Sequence, residues 1–202
     1  MSFSTKIINW YNQNYRDLPW RNTTDAYKIW LSEIILQQTR VSQGLPYYIN
    51  FINAFPTVKD LANADELQIL KLWQGLGYYS RARNLHFTAK YVMENYNGIF
   101  PISYEELLKL KGLGTYTAAA IASFSSNEAV AVLDGNVFRV LSRVFNVDYD
   151  ISQNSSKKYF IELATKVLSQ TNPAIHNQAI MEFGALQCVP KSPNCIECIF
   201  ND

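Results

Sequence analysis

Two carboxylic acids stand where the surrounding residues could give them unequal chemistry. Glu33 lies in Trp30-Leu31-Ser32-Glu33-Ile34-Ile35-Leu36-Gln37-Gln38-Thr39, and on a helix Ile29, Trp30, Leu36 and Gln37 fall three or four positions from it. A carboxyl among apolar neighbours holds its proton more tightly than a solvated one and can act as a general acid. The plainer alternative is a surface glutamate beside the apolar stripe. Asp134 closes the apolar run Val130-Ala131-Val132-Leu133 and directly precedes a helical pattern. It reads as an N-cap, a position from which an ionised carboxylate could also stabilise a developing cation.

A second group of residues suits phosphate, bases or metal. Leu110-Lys111-Gly112-Leu113-Gly114-Thr115-Tyr116-Thr117 runs into Ala118-Ala119-Ala120-Ile121, a helix, a hairpin and a helix. Gly112 and Gly114 let the backbone approach a phosphate, the amides opening the second helix supply donors, and Lys109 and Lys111 add charge nearby. A tight interhelical turn with no ligand has the same signature. In Trp73-Gln74-Gly75-Leu76-Gly77-Tyr78-Tyr79-Ser80-Arg81-Ala82-Arg83-Asn84, tyrosine could stack in a base step and arginine could hold phosphate; core packing before a helix explains it equally. Cys188, Cys195 and Cys198 are spaced Cys-x6-Cys-x2-Cys, which suits an iron–sulfur cluster or zinc, although either usually takes a fourth ligand. His86 and His176 fit no metal-ligand spacing and read as structural.

The elements that must position these residues are helices. Apolar residues recur at helical spacing at Trp30, Leu31, Ile34 and Ile35, and at Val137, Val140, Leu141 and Val144, whereas alternation is confined to Val130 and Val132. Breaks at 22–25, 55–56, 97–101, 112–114, 149–156 and 172–173 leave helices of about 8 to 18 residues between short connections, an all-α pattern.

The 202 residues are 48% hydrophobic and 14% aromatic, with only 8 Gly and 7 Pro, enough for a sizeable core and too ordered a composition for a disordered or collagen-like chain. With 18 Lys+Arg against 17 Asp+Glu, any nucleic-acid affinity must come from local placement of charge and amides. No leader pattern opens the chain and no apolar run reaches the ~18 residues a membrane span needs. The expectation is a cytoplasmic protein without membrane contact, and three clustered cysteines argue for a metal site over a disulfide framework.

Taken together and in order, these motifs resemble the helix-hairpin-helix DNA glycosylases, most closely their adenine-removing branch. The likeness runs along almost the whole chain, through Arg16-Asp17-Leu18-Pro19-Trp20-Arg21, Ser32-Glu33, Leu36-Gln37-Gln38-Thr39, Gly75-Leu76-Gly77-Tyr78-Tyr79, the hairpin, Leu133-Asp134-Gly135-Asn136-Val137, Asn177-Gln178-Ala179 and the cysteine array. The resemblance implies two all-α lobes with a DNA cleft between them. Residues 26–133 would form a six-helix barrel carrying the hairpin, while 1–25 and 134–202 would form an iron–sulfur cluster lobe. It also implies repair of double-stranded DNA by a monomer that extrudes adenine paired with 8-oxoguanine or guanine and hydrolyses its glycosidic bond.

Carried over residue by residue, Glu33 would protonate adenine N7 and Asp134 would stabilise the charge developing at C1′, with Tyr116 and Asn136 close by. Arg21 and Gln178 would surround the adenine. Gln38, Thr39, Tyr78, Gly112 and Gly114 would meet DNA, with Gln38 and Tyr78 intruding into the stack. Tyr116 stands where strand-cleaving relatives carry a nucleophilic lysine, so base removal without efficient strand cleavage is expected. Mismatch thymine glycosylases can share that tyrosine and the glutamate, and are the nearest alternative; Gln37-Gln38-Thr39 favours adenine.

Cys188, Cys195 and Cys198 would ligate a 4Fe-4S cluster, but the family's fourth cysteine would lie beyond Asp202, as would its 8-oxoguanine recognition domain. A truncated chain, with doubtful cluster occupancy, is therefore expected. A catalytically silent DNA-binding fragment is the remaining alternative.

Overall fold

A computed structural model describes residues 1–150 and 153–201, and the side chain of Asn154 lies outside the description. Among the described residues the regular structure is helical, with eleven α-helices and a short 3-10 turn. They are α1 (Phe3–Asn14), the 3-10 turn (Pro19–Arg21), α2 (Ala26–Leu36), α3 (Val41–Ala54), α4 (Val58–Asn63), α5 (Glu66–Trp73), α6 (Ser80–Asn95), α7 (Tyr104–Leu107), α8 (Thr115–Ser126), α9 (Gly135–Val144), α10 (Asn154–Val167) and α11 (Pro173–Leu186). No described helix is long and apolar enough to cross a membrane. The break expected at 149–156 includes 151 and 152, outside the described residues, and α10 already begins at Asn154.

Local chemistry sets many of the boundaries. Asp25, Thr57, Asp65, Ser103 and Asp134 cap α2, α4, α5, α7 and α9 through their side-chain oxygens, satisfying amides that lack intrahelical partners. Pro173 opens α11, where its missing N–H costs nothing.

The chain divides into two compact units, Leu18–Ser126 and Met1–Asp17 with Asn127–Asp202. The divisions expected at 25/26 and 133/134 therefore fall earlier on both sides. Trp20 packs against the core of the first unit, edge-on to Tyr48. The extended 130–132 segment is bound instead to Asn177 of the second.

In Leu18–Ser126, α2 is the central element, with the stripe Trp30, Leu31, Ile34 and Ile35 wholly or nearly wholly buried. Each such aliphatic side chain contributes about 1.5–3 kcal/mol of transfer free energy. It packs on α3 and on α8, whose buried face of Ala118, Ala119, Ala120 and Ala122 allows close helix approach. Trp73 and Phe51 meet edge to face, and Trp30 lies against Phe100. His86 is buried here, and burial holds it below the usual histidine range.

In the other unit α11 packs on α1 and α9, and α9 on α10. Ile7, Val137, Val140, Leu141, Phe160, Ile180 and Phe183 form the core. Arg16 closes the end of α1 onto α11: its main-chain N–H and its guanidinium donate to the fully buried Glu182 carboxylate. That charge-assisted, two-pronged pairing raises the arginine's own basicity further. His176 is buried beside Ser4 and Phe3, and burial lowers it to about 4.

Candidate functional site

Glu33 sits in the last turn of α2, half-buried, in a helix whose neighbouring Ile29, Trp30 and Ser32 are sealed from solvent. Beyond the end of α2 the chain turns sharply: Gln38 takes φ +54° and is exposed, and Thr39 folds back through its N–H onto the Leu36 carbonyl and its hydroxyl onto that of Gln37.

The loop between α5 and α6 turns in the same hand, with Gly75 at φ +102°, Gly77 at +70° and Tyr78 at +46°. Left-handed backbone at a residue with a side chain costs on the order of 1 kcal/mol and persists only where its surroundings enforce it. Tyr78 is nonetheless 67% exposed.

Trp73 Nε1 donates to the Gly77 carbonyl (2.9 Å) and the Tyr47 hydroxyl to that of Gln74 (2.8 Å), and the residue that bonds both turns is Arg81, in the first turn of α6. Its Nη1 donates to the carbonyls of Ile34 (2.9 Å), Ile35 (3.2 Å) and Gln37 (2.6 Å), and its Nη2 to those of Leu76 (3.2 Å) and Gly77 (3.5 Å). The same guanidinium lies 5.1 Å from the Trp73 ring centre and 5.7 Å from that of Tyr78. The phosphate-holding part that sequence suggested for this arginine is thus replaced by main-chain bonding. Arg83, for its part, pairs with Glu66 on the surface.

Gln37, Gln38, Tyr78, Ser80 and Arg81 line a concavity of about 380 Å³. Gln37 and Arg81 also line a small cavity of about 40 Å³ with Asn84, Lys111 and Gly112, so the two tips and the hairpin occupy adjoining surface of one unit. The hairpin turn depends on Gly112, whose φ of +83° and 3.2 Å approach of a notional Cβ to the Asn84 Cβ both disfavour a side chain. Thr88 anchors the turn by donating to the Lys111 carbonyl. The Gly114 carbonyl accepts the first helical bond of α8 from Ala118, and Tyr116, half-buried, is the second residue of that helix. Of the two lysines, Lys109 pairs with Glu106 and Lys111 lies 4.5 Å from the Phe87 ring centre.

In the second unit Asp134 is the N-cap that its place in the sequence suggested. One carboxylate oxygen accepts from the Val137 N–H at 2.8 Å and the other from the Asn136 side chain at 2.8 Å. Asn136 is held in turn by Arg139, whose guanidinium also donates to the Gly135, Gly184 and Cys188 carbonyls. Gly184 is where α11 meets α9: a Cβ there would lie 2.6 Å from the Asn136 Cβ. Gln178 accepts a hydrogen bond from the Tyr11 hydroxyl at 2.7 Å. Arg21 ends the 3-10 turn in the other unit, half-buried.

Asn177, on α11, does a strand's work. Its side-chain amide donates to the Val130 carbonyl at 2.8 Å and accepts from the Val132 N–H at 3.2 Å, so the alternating segment before Asp134 finds its partner in one side chain instead of a sheet. The parts played by Arg81, Arg139, Asn177, Glu182 and Gly184 escaped sequence reasoning. Only Arg139, three residues after Asn136 on one helix, left a local signal.

The cysteines are not gathered in this way. Cys188 is buried, Cys198 half-buried and Cys195 exposed. Among the described residues no group of three or more histidines, cysteines or acids is arranged to hold a metal ion. The Cys188 sulfur accepts from Arg143 and the Cys198 sulfur from the Phe200 N–H, each at 3.5 Å. The 202 residues contain three cysteines, so the donor set present does not fit a four-thiolate cluster.

Comparison with known proteins agrees with this architecture. The chain is 43% identical over 201 residues to the adenine DNA glycosylase of Buchnera aphidicola subsp. Baizongia pistaciae (strain Bp), covering 97% of this chain and 56% of that protein. It is 41% identical over 206 residues to the adenine DNA glycosylase of Homo sapiens, covering 98% and 38%. The chain thus spans about half the length, or less, of these relatives. Among solved structures, a thermostable thymine-DNA glycosylase superposes with a TM-score of 0.90 at 30% identity, over 98% of this chain and 91% of that one. An endonuclease III in a non-covalent DNA complex superposes at 0.82 and 18% identity, over 98% and 90%, a likeness of fold alone. Residues 31–180 match the HhH-GPD family, and with that match spanning the second half of α2, the hairpin and the Asp134 cap, the chain belongs to the HhH-GPD superfamily of base excision DNA repair proteins.

Proposed function

We propose that this chain carries the excision chemistry of an adenine DNA glycosylase, acting on duplex DNA with adenine opposite 8-oxoguanine or guanine. The observation that carries the reading is the identity of up to 43%, along nearly the whole chain, to proteins bearing that name. Glu33 protonates adenine N7 and makes the base a better leaving group; Asp134, ionised, stabilises the positive charge that develops at C1′. The two carboxyls divide the labour as a glycosidase pair does. Asn136 fixes the orientation of the Asp134 carboxylate through its 2.8 Å bond, and Glu33 later activates the attacking water.

Arg21 and Gln178 contact the adenine. Gln38 and Tyr78 enter the base stack from their raised tips, beside Thr39, and the amides opening α8 with Gly112 and Gly114 receive a phosphate. Tyr116 offers no amine for a Schiff base, so the reaction ends at an abasic site. Cys188, Cys195 and Cys198 supply three thiols toward an iron–sulfur cluster, and no step of this reaction is routed through one. The protein acts as a monomer, without a membrane.

One observation favours a second reading: the thymine-DNA glycosylase with a TM-score of 0.90. Single-turnover excision on labelled duplexes bearing adenine opposite 8-oxoguanine, adenine opposite guanine, or thymine opposite guanine separates the two. Alkali-dependent breaks at adenine are expected, whereas thymine-selective breaks establish the alternative. DNA binding without breaks in any duplex identifies a silent binding module. Glu33→Gln is expected to keep DNA binding and lose excision; undiminished excision removes Glu33 from the role of acid.

A further inference from the structure

One guanidinium joins the two exposed tips. The last carbonyls of α2 have no intrahelical partners, and those of Ile34 and Ile35, with Gln37 beyond them, converge on Arg81 Nη1, while Nη2 of the same planar group takes Leu76 and Gly77 from the other loop. Only a fork with donors on separate nitrogens can span two backbones in this way; a lysine ammonium is a single point. The tips so joined are Gln38 and Tyr78, both left-handed, both exposed, and both on the wall of one concavity. The guanidinium also lies near the Tyr78 ring face.

We propose that Arg81 is a positioning residue for base extrusion: it fixes the Gln38 and Tyr78 tips relative to each other before DNA arrives, so that neither has to be ordered at the moment of binding. The proposal rests on the excision reading above. It follows from the cost of ordering loops on association, which a preformed geometry removes. Because the guanidinium is committed to carbonyls, Arg81 contributes to extrusion without neutralising a phosphate.

The test uses the full chain carrying Glu33→Gln, which separates extrusion from release, with Arg81→Lys or Arg81→Gln added. The probe is 2-aminopurine in place of adenine opposite 8-oxoguanine, whose fluorescence rises on unstacking. The Arg81 variants are expected to lower the extrusion equilibrium about tenfold or more, the scale set by losing several charge-assisted bonds. On a duplex with a gap opposite the 2-aminopurine, where the base is already loosened, they are expected to match the parent, which also shows that they are folded. The salt dependence of DNA binding is expected to stay unchanged, whereas loss of a phosphate contact would lower its slope by about one.

Equal extrusion by parent and both variants overturns the clamp, as does a lowered salt slope or an equal loss on the gapped duplex. A parent that produces no fluorescence rise overturns the excision reading, and the clamp with it. A responsive parent with unresponsive variants supports both.

Discussion

Replacing Asn177 with leucine isolates the side chain that stands in for a strand. Asn177 is 2% exposed and Val132 1% exposed. Leucine keeps the branching and the number of side-chain heavy atoms and is somewhat bulkier, so the change removes both of these polar contacts without opening a cavity. The Val132 N–H, 3.2 Å from the amide oxygen, is left facing an apolar group in the interior. The Val130 carbonyl, 2.8 Å from the amide nitrogen, is half-buried and can recover water. Stranding a buried backbone group costs about 1–3 kcal/mol; the fully buried amide dominates, so the expected loss is about 2–3 kcal/mol. Hydrogen exchange at the Val132 amide reads this locally and is expected to accelerate by roughly thirtyfold to a hundredfold, since each 1.4 kcal/mol is tenfold. Urea unfolding of the Met1–Asp17 and Asn127–Asp202 unit should lose about 1–1.5 M in midpoint at an m-value of about 2 kcal/mol/M. Unchanged exchange at Val132, with a midpoint shift below about 0.2 M, would refute the account of this segment. Asp134 lies two residues beyond Val132, so excision should fall alongside stability.

Three further outcomes follow from the same geometry. Asp134→Asn keeps an N-cap of similar quality and should change stability by less than about 1 kcal/mol, while lowering single-turnover excision about a hundredfold or more; parallel loss of both would reduce Asp134 to a cap. Gly184→Ala forces a Cβ to within 2.6 Å of the Asn136 Cβ and should cost about 1–3 kcal/mol by overpacking, with excision reduced because Asn136 orients Asp134. A melting temperature and excision rate equal to wild type would contradict that close approach.

His176, lowered to about 4 by burial, stays neutral when folded while the unfolded histidine titrates near 6.5. The folded state therefore keeps its full advantage above about pH 6.5 and loses it as pH falls toward 4, by at most about 1.4 kcal/mol per pH unit from this group. His86 is shifted in the same direction. Urea midpoints at pH 7.5 and 5.0 should show the drop, and His176→Asn should flatten it; an unaltered slope in that variant would assign the effect elsewhere.

The sequence alone determined the helical class, because apolar residues at Trp30, Leu31, Ile34 and Ile35, and again at Val137, Val140 and Leu141, recur at a helix's period, and all are buried. It also determined the Asp134 cap and the hairpin, since an N-cap and a left-handed glycine turn are satisfied within a few residues of chain.

Tertiary structure decided what depends on distant partners. Arg81 reads locally as a phosphate ligand or as part of an ordinary helix start, and only folding brings it to Ile34 and Gln37, more than forty positions away. The Val130 and Val132 alternation reads as a strand until Asn177, forty-five positions after Val132, supplies its pairing. Arg16 reads as charge until Glu182 reaches it across 166 positions. Likewise, Cys-x6-Cys-x2-Cys spacing suggested a shared metal, while the folded chain leaves Cys188 buried and Cys195 exposed. Periodicity and capping are local properties of a chain, whereas the partner of a buried polar group is fixed only when packing leaves it one place to go.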